Sequence, residues 1–264
     1  MRELVWNRMT AAELRAQAAR DAVVLLPVGS TEQHGPHLPT GVDDFLADEV
    51  CRRAAEYACT RRDVVVAPSV RFGLAEHHMA FGGTFTLTLA TMHALLRDLC
   101  RSILRAGFSK ILIVNGHGGN IAALGALVTE LATELSAQIA VTTYFVAGRA
   151  TIAEILDTQD TLMHACEAET SMIMATMPEL VRMPALAEAV GPAIELPTEG
   201  LVTVPISLAA ITSPGVAGDA RAATAAKGKA LLDGCAHAIA NLLVDVPWWA
   251  PADHSVSRAR KAPR

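Results

Sequence analysis

The chain has 264 residues, of which 52% are hydrophobic and only 19% charged, with a formal net charge of −5 and a pI near 6.0. That length buries a large core, which excludes disorder and small disulfide scaffolds, and no basic run is longer than a pair such as Arg52-Arg53 or Arg61-Arg62, which excludes nucleic acid and anionic membranes as partners. Mean hydropathy is +0.32, yet Gly, Pro, Arg and Asp interrupt every apolar stretch before it reaches the ~20 residues of a spanning helix.

From Met1-Arg2-Glu3-Leu4 the chain enters an Ala-rich, charge-studded segment over 11–20, without the apolar stretch or cleavage site of an export signal. Residues 22–28 (AVVLLPV) predict a buried strand, 44–58 a helix, 63–68 (DVVVAP) a second strand and 90–106 a long amphipathic helix. Residues 110–115 (KILIVN) predict a third strand, 120–135 a helix and 138–145 another strand. Continuously apolar strands alternating with helices predict an α/β fold of three layers, α/β/α, with a mostly parallel sheet covered on both faces. Beyond 145 the alternation weakens. A helix is predicted over 166–177, then a Pro-rich irregular stretch over 178–214 with a candidate strand at 201–208, and a closing helix over 220–244. The stretch 178–214 suits a lid, a subunit contact or a plain surface excursion. No repeat or low-complexity linker divides the chain, so 1–264 reads as one domain. Five separated cysteines without a C-x-x-C pair argue against disulfides and a thiolate zinc site, and for a reducing cytoplasm.

The chemistry-bearing residues gather at strand ends. The first strand runs into Gly29-Ser30-Thr31-Glu32-Gln33-His34-Gly35-Pro36-His37-Leu38-Pro39, followed by Asp43-Asp44. In extended backbone Glu32 and His34 share a face, and the Gly and Pro residues fold the loop back so that an aspartate can join them. One of Asp43 and Asp44 is read as a ligand and the other as a helix cap. The third strand ends in Asn115-Gly116-His117-Gly118-Gly119-Asn120, whose glycines allow close backbone approach around a metal-binding His117. Both motifs lie beyond strand carboxyl ends, where open parallel sheets collect ligands. The cluster His164-Ala165-Cys166-Glu167-Ala168-Glu169-Thr170-Ser171 puts Glu167 and Glu169 about 200° apart on a continuous helix, so they cannot both face one site. Cys166 reads more readily as a small buried thiol than as a nucleophile, and Glu76-His77-His78 either border the site or are solvated. Histidine and carboxylate donors without thiolates suit a hydrolytic pair of Zn²⁺, Mn²⁺ or Fe²⁺ ions that activate a water, with His164 shuttling the proton to the leaving nitrogen.

These four motifs (the opening from Gly29 to His37, the Asn115-to-Asn120 loop, the His164-to-Ser171 cluster, and Gly215-Val216-Ala217-Gly218-Asp219 with Ala223-Thr224-Ala225) resemble, in order, those of the creatininase family. The resemblance implies that family's fold and a binuclear metal hydrolase acting on the amide C–N bond of a small molecule or peptide-like substrate. It also implies a homo-oligomer such as a hexamer. Carried over by position, Glu32, His34, Asp43 and His117 match metal ligands, with Asp43 bridging. Creatininase proper has a glutamate two residues beyond the loop histidine, where this chain has Gly119. The family's Glu-Thr-Ser element makes Glu169 the replacement ligand, with Glu167 as its alternative and as a companion of His164 in catalysis. The tryptophans here, Trp6, Trp248 and Trp249, lie far in sequence from the motifs, which points away from creatinine and toward branches acting on formamides or peptide ends. A lactone hydrolase using the same site, or a catalytically silent binding protein with this fold, are the competing readings.

Overall fold

The computed structural model describes residues 2–194 and 205–245. Along the chain, α1 (Ala11–Ala19) leads to β1 (Val23–Val28), α2 (Val42–Ala58), β2 (Val64–Val66), α3 (Leu89–Arg105), β3 (Lys110–Asn115), α4 (Ile121–Leu135) and β4 (Gln138–Thr143). The short α5 (Tyr144–Ala147) and α6 (Arg149–Ile155) follow, then α7 (Glu167–Thr176) and α8 (Ala225–Asp245). The four strands form one parallel sheet in the order β2-β1-β3-β4.

Side-chain alternation sorts the strands into two cores. Val23 and Leu25 of β1 pack with Val42, Leu46 and Val50 of α2 and with α7 and α8. Val24, Leu26 and Val28 pack on the opposite face with Met92, Leu96 and Cys100 of α3 and Leu124, Leu127 and Leu131 of α4. Every residue of β1 is buried, as expected for a central parallel strand with helices on both faces. The predicted α/β fold and its parallel sheet are therefore found. Among the described residues no helix is long and apolar enough to cross a membrane, and all five cysteines are free thiols.

Several predicted boundaries move, each for a local reason. Segment 11–20 holds a helix that composition alone did not reveal; Thr10 accepts from the Glu13 backbone N–H at 3.3 Å while the Glu13 carboxylate accepts from Thr10 N–H at 2.7 Å, a reciprocal cap. The strand predicted to 145 stops at Thr143, where Tyr144 and Phe145 turn into α5 and bury their rings. The closing helix starts at Ala225 instead of 220, after a separate 3-10 turn at Ala220–Ala222 whose Arg221 N–H is taken by Asp219. The predicted strand at 201–208 lies partly outside the described residues, and Leu208 itself opens the 3-10 turn Leu208–Ala210. Trp248 and Trp249 are also outside them, and Trp6 packs on Phe108 with ring centroids 5.2 Å apart.

The strand order makes the carboxyl end between β1 and β3 the switch point of the sheet. β1 is followed in the sheet by β2 on one side and by β3 and β4 on the other, so the connections leaving β1 and β3 diverge and open a crevice.

Candidate metal centre

The amino end of α2 fills that crevice, and two glycines admit it. A Cβ on Gly29 would lie 2.6 Å from Asp44 N and 2.7 Å from the Asp43 carbonyl carbon, and one on Gly116 would lie 2.7 Å from Asp43 O. Only glycine at both strand ends lets the first turn of α2 press between them and deliver Asp43. The helix begins at Val42 with Gly41 as its N-cap and no side-chain cap, which corrects the expectation that one aspartate caps it. Both carboxylates occupy the first turn, where the helix dipole favours negative charge. Asp43 faces the crevice and Asp44 turns away to Arg71 Nε at 3.4 Å.

Six predicted residues meet here, all buried: Glu32, His34, Asp43, His117, His164 and Glu169. His34 lies 3.1 Å from the Glu32 carbonyl through Nδ1, and its Nε2 faces Asp43 Oδ1 at 3.1 Å and Glu169 Oε1 at 3.8 Å. His117 lies 3.2 Å from the Leu74 carbonyl through Nε2, and its Nδ1 faces Asp43 Oδ2 at 3.0 Å and Glu32 Oε2 at 3.1 Å. Each ring donates outward to a backbone carbonyl and turns its other nitrogen to the carboxylates, the tautomer pattern of metal-binding imidazoles. Asn115 and Asn120 frame the His117 loop: Asn115 accepts from His117 N–H and donates to its carbonyl, and Asn120 donates to Asn115 Oδ1 and Gly29 O.

The donor atoms form triads. Glu32, Asp43 and His117 make one, and His34, Asp43 and Glu169 another, each with its atoms within 4.8 Å of one another and each sharing Asp43; Glu32, His34 and His164 make a third. Among the described residues both Glu32 carboxylate oxygens, Asp43 Oδ2 and Glu169 Oε2 are buried without a hydrogen bond. Such atoms are costly unless a cation pairs them. The electrostatics point the same way. Burial opposes charge on His117, yet Glu32 and Asp43 raise it to about 10, and Asp43 and Glu169 raise His34 well above its ordinary value against the same opposition. Burial works to raise Asp43, but His34 and His117 hold it well below the usual carboxylate range. Protons on two imidazoles thus stand where a divalent cation would, and a His/carboxylate donor set fits Zn²⁺ or Mn²⁺.

Glu167 does not join this group, and its expected place beside His164 in catalysis is corrected. α7 begins at Glu167 with Cys166 as N-cap, so Glu169 points inward and Glu167 to the far side. There its carboxylate accepts from Asp157 N–H, Thr158 N–H and Thr158 Oγ1, and pairs with Lys227 Nζ, which also bonds Asp157 at 2.6 Å. This cluster ties the start of α7 to the start of α8. Lys227→Met should therefore lower stability by about 2 kcal/mol while leaving metal content unchanged, a result read by denaturant melts and elemental analysis; loss of metal with intact stability would return Glu167 to the site.

Sequence reasoning left His78 undecided. The 3-10 turn Glu76–Phe81 exposes Glu76 and buries His78, whose Nε2 reaches Glu32 Oε1 at 3.1 Å. Burial, reinforced by His77 and His117, pushes His78 down to about 2, and burial with His34 and His78 lowers His164 well below its ordinary value, so both rings are neutral. A clue existed in their place after β2, at the same end of the sheet as the other motifs. His37 bonds Thr170 Oγ1 at 2.7 Å and thereby pins α7 beside Glu169. Cys166 is inert: burial pushes its thiol up to about 11.

Gly119 explains why the second triad draws on α7. A Cβ there would lie 2.5 Å from both His117 Nε2 and Leu74 O, and 2.8 Å from His77 Cε1. No side chain fits without displacing His117. Gly119→Glu should therefore lower metal content instead of adding a ligand, checked by elemental analysis of the purified variant. At Gly118, by contrast, a Cβ would meet nothing within 4 Å.

A family profile described as "Creatininase: Creatinine amidohydrolase" matches residues 7–243. The chain is 36% identical over 225 residues to a mycofactocin precursor peptide peptidase of Mycolicibacterium smegmatis, covering 82% of this chain and 84% of the relative. It is 29% identical over 257 residues to the creatinine amidohydrolase of Pseudomonas putida, covering 91% and 94%. Among solved structures, a manganese creatininase superposes with a TM-score of 0.79 at 27% identity, covering 92% and 98%, and a variant creatininase of Zn–Zn type with 0.78 at 27% identity, covering 93% and 98%.

Proposed function

Because the chain belongs to the creatininase family, we propose that it is a divalent-metal-dependent hydrolase that cleaves the amide C–N bond of a peptide-like or similarly extended substrate. The observation that carries the proposal is the pair of buried triads sharing Asp43, with carboxylate oxygens buried without a hydrogen bond. In it Glu32, Asp43 and His117 hold one ion and His34, Asp43 and Glu169 the other. Bound there, two divalent ions supply Lewis acidity to a substrate carbonyl and to a water. The chain supplies the rest. Asp43 and its neighbours exclude bulk water from the crevice floor. His164, with its side chain 11% exposed against 3% or less for the ligand side chains, is the most exposed imidazole of the three triads; it takes a proton at Nδ1 and returns it to the leaving nitrogen.

Substrate size is argued from the open space at Gly118 and from the relative acting on a precursor peptide. Among the described residues the one tryptophan, Trp6, packs on Phe108 and not at the site. The test is a hydrolysis screen over creatinine, formamides, lactams, lactones and short peptides, run before and after chelation. A peptide or formamide turned over only by the Zn²⁺- or Mn²⁺-restored protein supports the proposal; chelation without effect on any turnover sinks it. The homo-oligomer belongs to the same proposal, since Phe72, Met79, Phe85 and Leu89 are exposed together on the segment bordering the site, and light scattering reads the assembly directly.

A further inference from the structure

We propose that Gln33 is a positioning residue: its carboxamide fixes the proton of His78 on Nε2, and residue 33 offers the Nε2 of His164 a donor and an acceptor together. The geometry identifies the two ends of the amide. Its Oε1 accepts from Gly35 N–H at 2.9 Å, so the opposite end is the NH₂; flipping it would set a donor against a donor. Two glycines hold this orientation. Gly35 has φ +68°, and Gly215, at φ +72°, packs so closely that a Cβ would lie 2.2 Å from Oε1.

An amide NH₂ only donates. Gln33 Nε2 lies 2.9 Å from His78 Nδ1, so that nitrogen carries the lone pair and the ring proton sits on Nε2, 3.1 Å from Glu32 Oε1. His78 therefore turns its ring N–H toward a carboxylate of the first triad, opposite an oxygen that has no hydrogen bond, which is where a group that orients a metal-ligating carboxylate stands. His164 is held differently. Its Nε2 lies 2.8 Å from Gln33 O and 3.0 Å from Gln33 Nε2, so this nitrogen has a partner with or without a proton. Its Nδ1 faces Glu32 Oε1 at 3.7 Å. One residue thus fixes the tautomer of one imidazole and gives its neighbour a partner in either.

What this means for turnover rests on the hydrolase reading; the tautomers rest on geometry alone. The test is solid-state ¹⁵N NMR of the full-length, ¹⁵N-histidine-labelled protein, metal-free and Zn²⁺-loaded, with His78 assigned by its loss in His78→Gln. The expected wild-type spectrum has His78 protonated at Nε2 and bare at Nδ1. Gln33→Glu turns the donor into an acceptor, so His78 Nδ1 should become protonated and Zn²⁺ affinity should fall about 10-fold or more. Gln33→Met removes the donor without supplying an acceptor, and should weaken Zn²⁺ without protonating Nδ1. A wild-type His78 protonated at Nδ1, or a His78 unchanged in Gln33→Glu, overturns the proposal, and the wild-type spectrum decides even if the variants do not fold. Zn²⁺-induced shifts at His34 and His117 report the metal reading separately; their absence would remove that reading and leave the tautomer assignment standing.

Discussion

Asp43→Ala is expected to abolish metal binding and hydrolysis together, the largest effect of any single ligand change. Asp43 belongs to two triads that otherwise share no residue, with Oδ1 toward His34 and Oδ2 toward His117. Removing it leaves each triad with two donors, whereas Glu32→Gln and Glu169→Gln should each weaken one ion more than the other. Thermal melts separate this from misfolding. In the wild type, free Zn²⁺ at a thousandfold excess over Kd should stabilise by about 4 kcal/mol, and in Asp43→Ala that gain should vanish. The metal-free variant sets its own baseline: losing Asp43 removes the carboxylate that pairs with both His34 and His117, so its metal-free melt should fall below that of the metal-free wild type, and the Zn²⁺-dependent gain is read against that lower melt. A retained Zn²⁺-dependent shift in Asp43→Ala would show that the bridging assignment is wrong.

That experiment also marks where sequence reading stops. β1 and β3 are legible because unbroken apolar β-branched runs fit only strands covered on both faces, and Glu32, His34 and His117 follow because they sit in glycine-rich turns at the ends of those strands. Asp43 and Asp44 are adjacent and chemically equal in sequence. What separates them is the start of α2 at Val42 and the lack of space at Gly29 and Gly116, both tertiary facts. Helical geometry says that Glu167 and Glu169 diverge, but which one faces inward is decided by Lys227, 60 residues further along. His78 is harder still. A histidine in a loop has no periodicity to orient it, and it is turned inward by a short 3-10 helix whose neighbouring residues Glu76 and Met79 remain exposed.

His164 carries the second large prediction, and it differs from the first in keeping the metal. His164→Ala should lower kcat on an amide by about 10²–10⁴-fold, equivalent to about 3–5 kcal/mol of transition-state stabilisation, with metal content and KM little changed. The competing assignment is ligation, since His164 forms a triad with Glu32 and His34. Its Nε2 is taken up by Gln33 and its Nδ1 stands 3.7 Å from Glu32 Oε1, farther than the 3.0 and 3.1 Å that separate His117 Nδ1 from its two carboxylates. Elemental analysis of His164→Ala separates the roles: loss of an ion makes His164 a ligand. Leaving-group dependence separates them again. An amine must be protonated as it departs, whereas an alkoxide or phenoxide of lower basicity leaves with less help, so the defect should shrink along a series from amide to lactone to activated ester. An equal defect across that series would mean that His164 acts on the attacking water alone, and the return of its proton to nitrogen would have to be dropped.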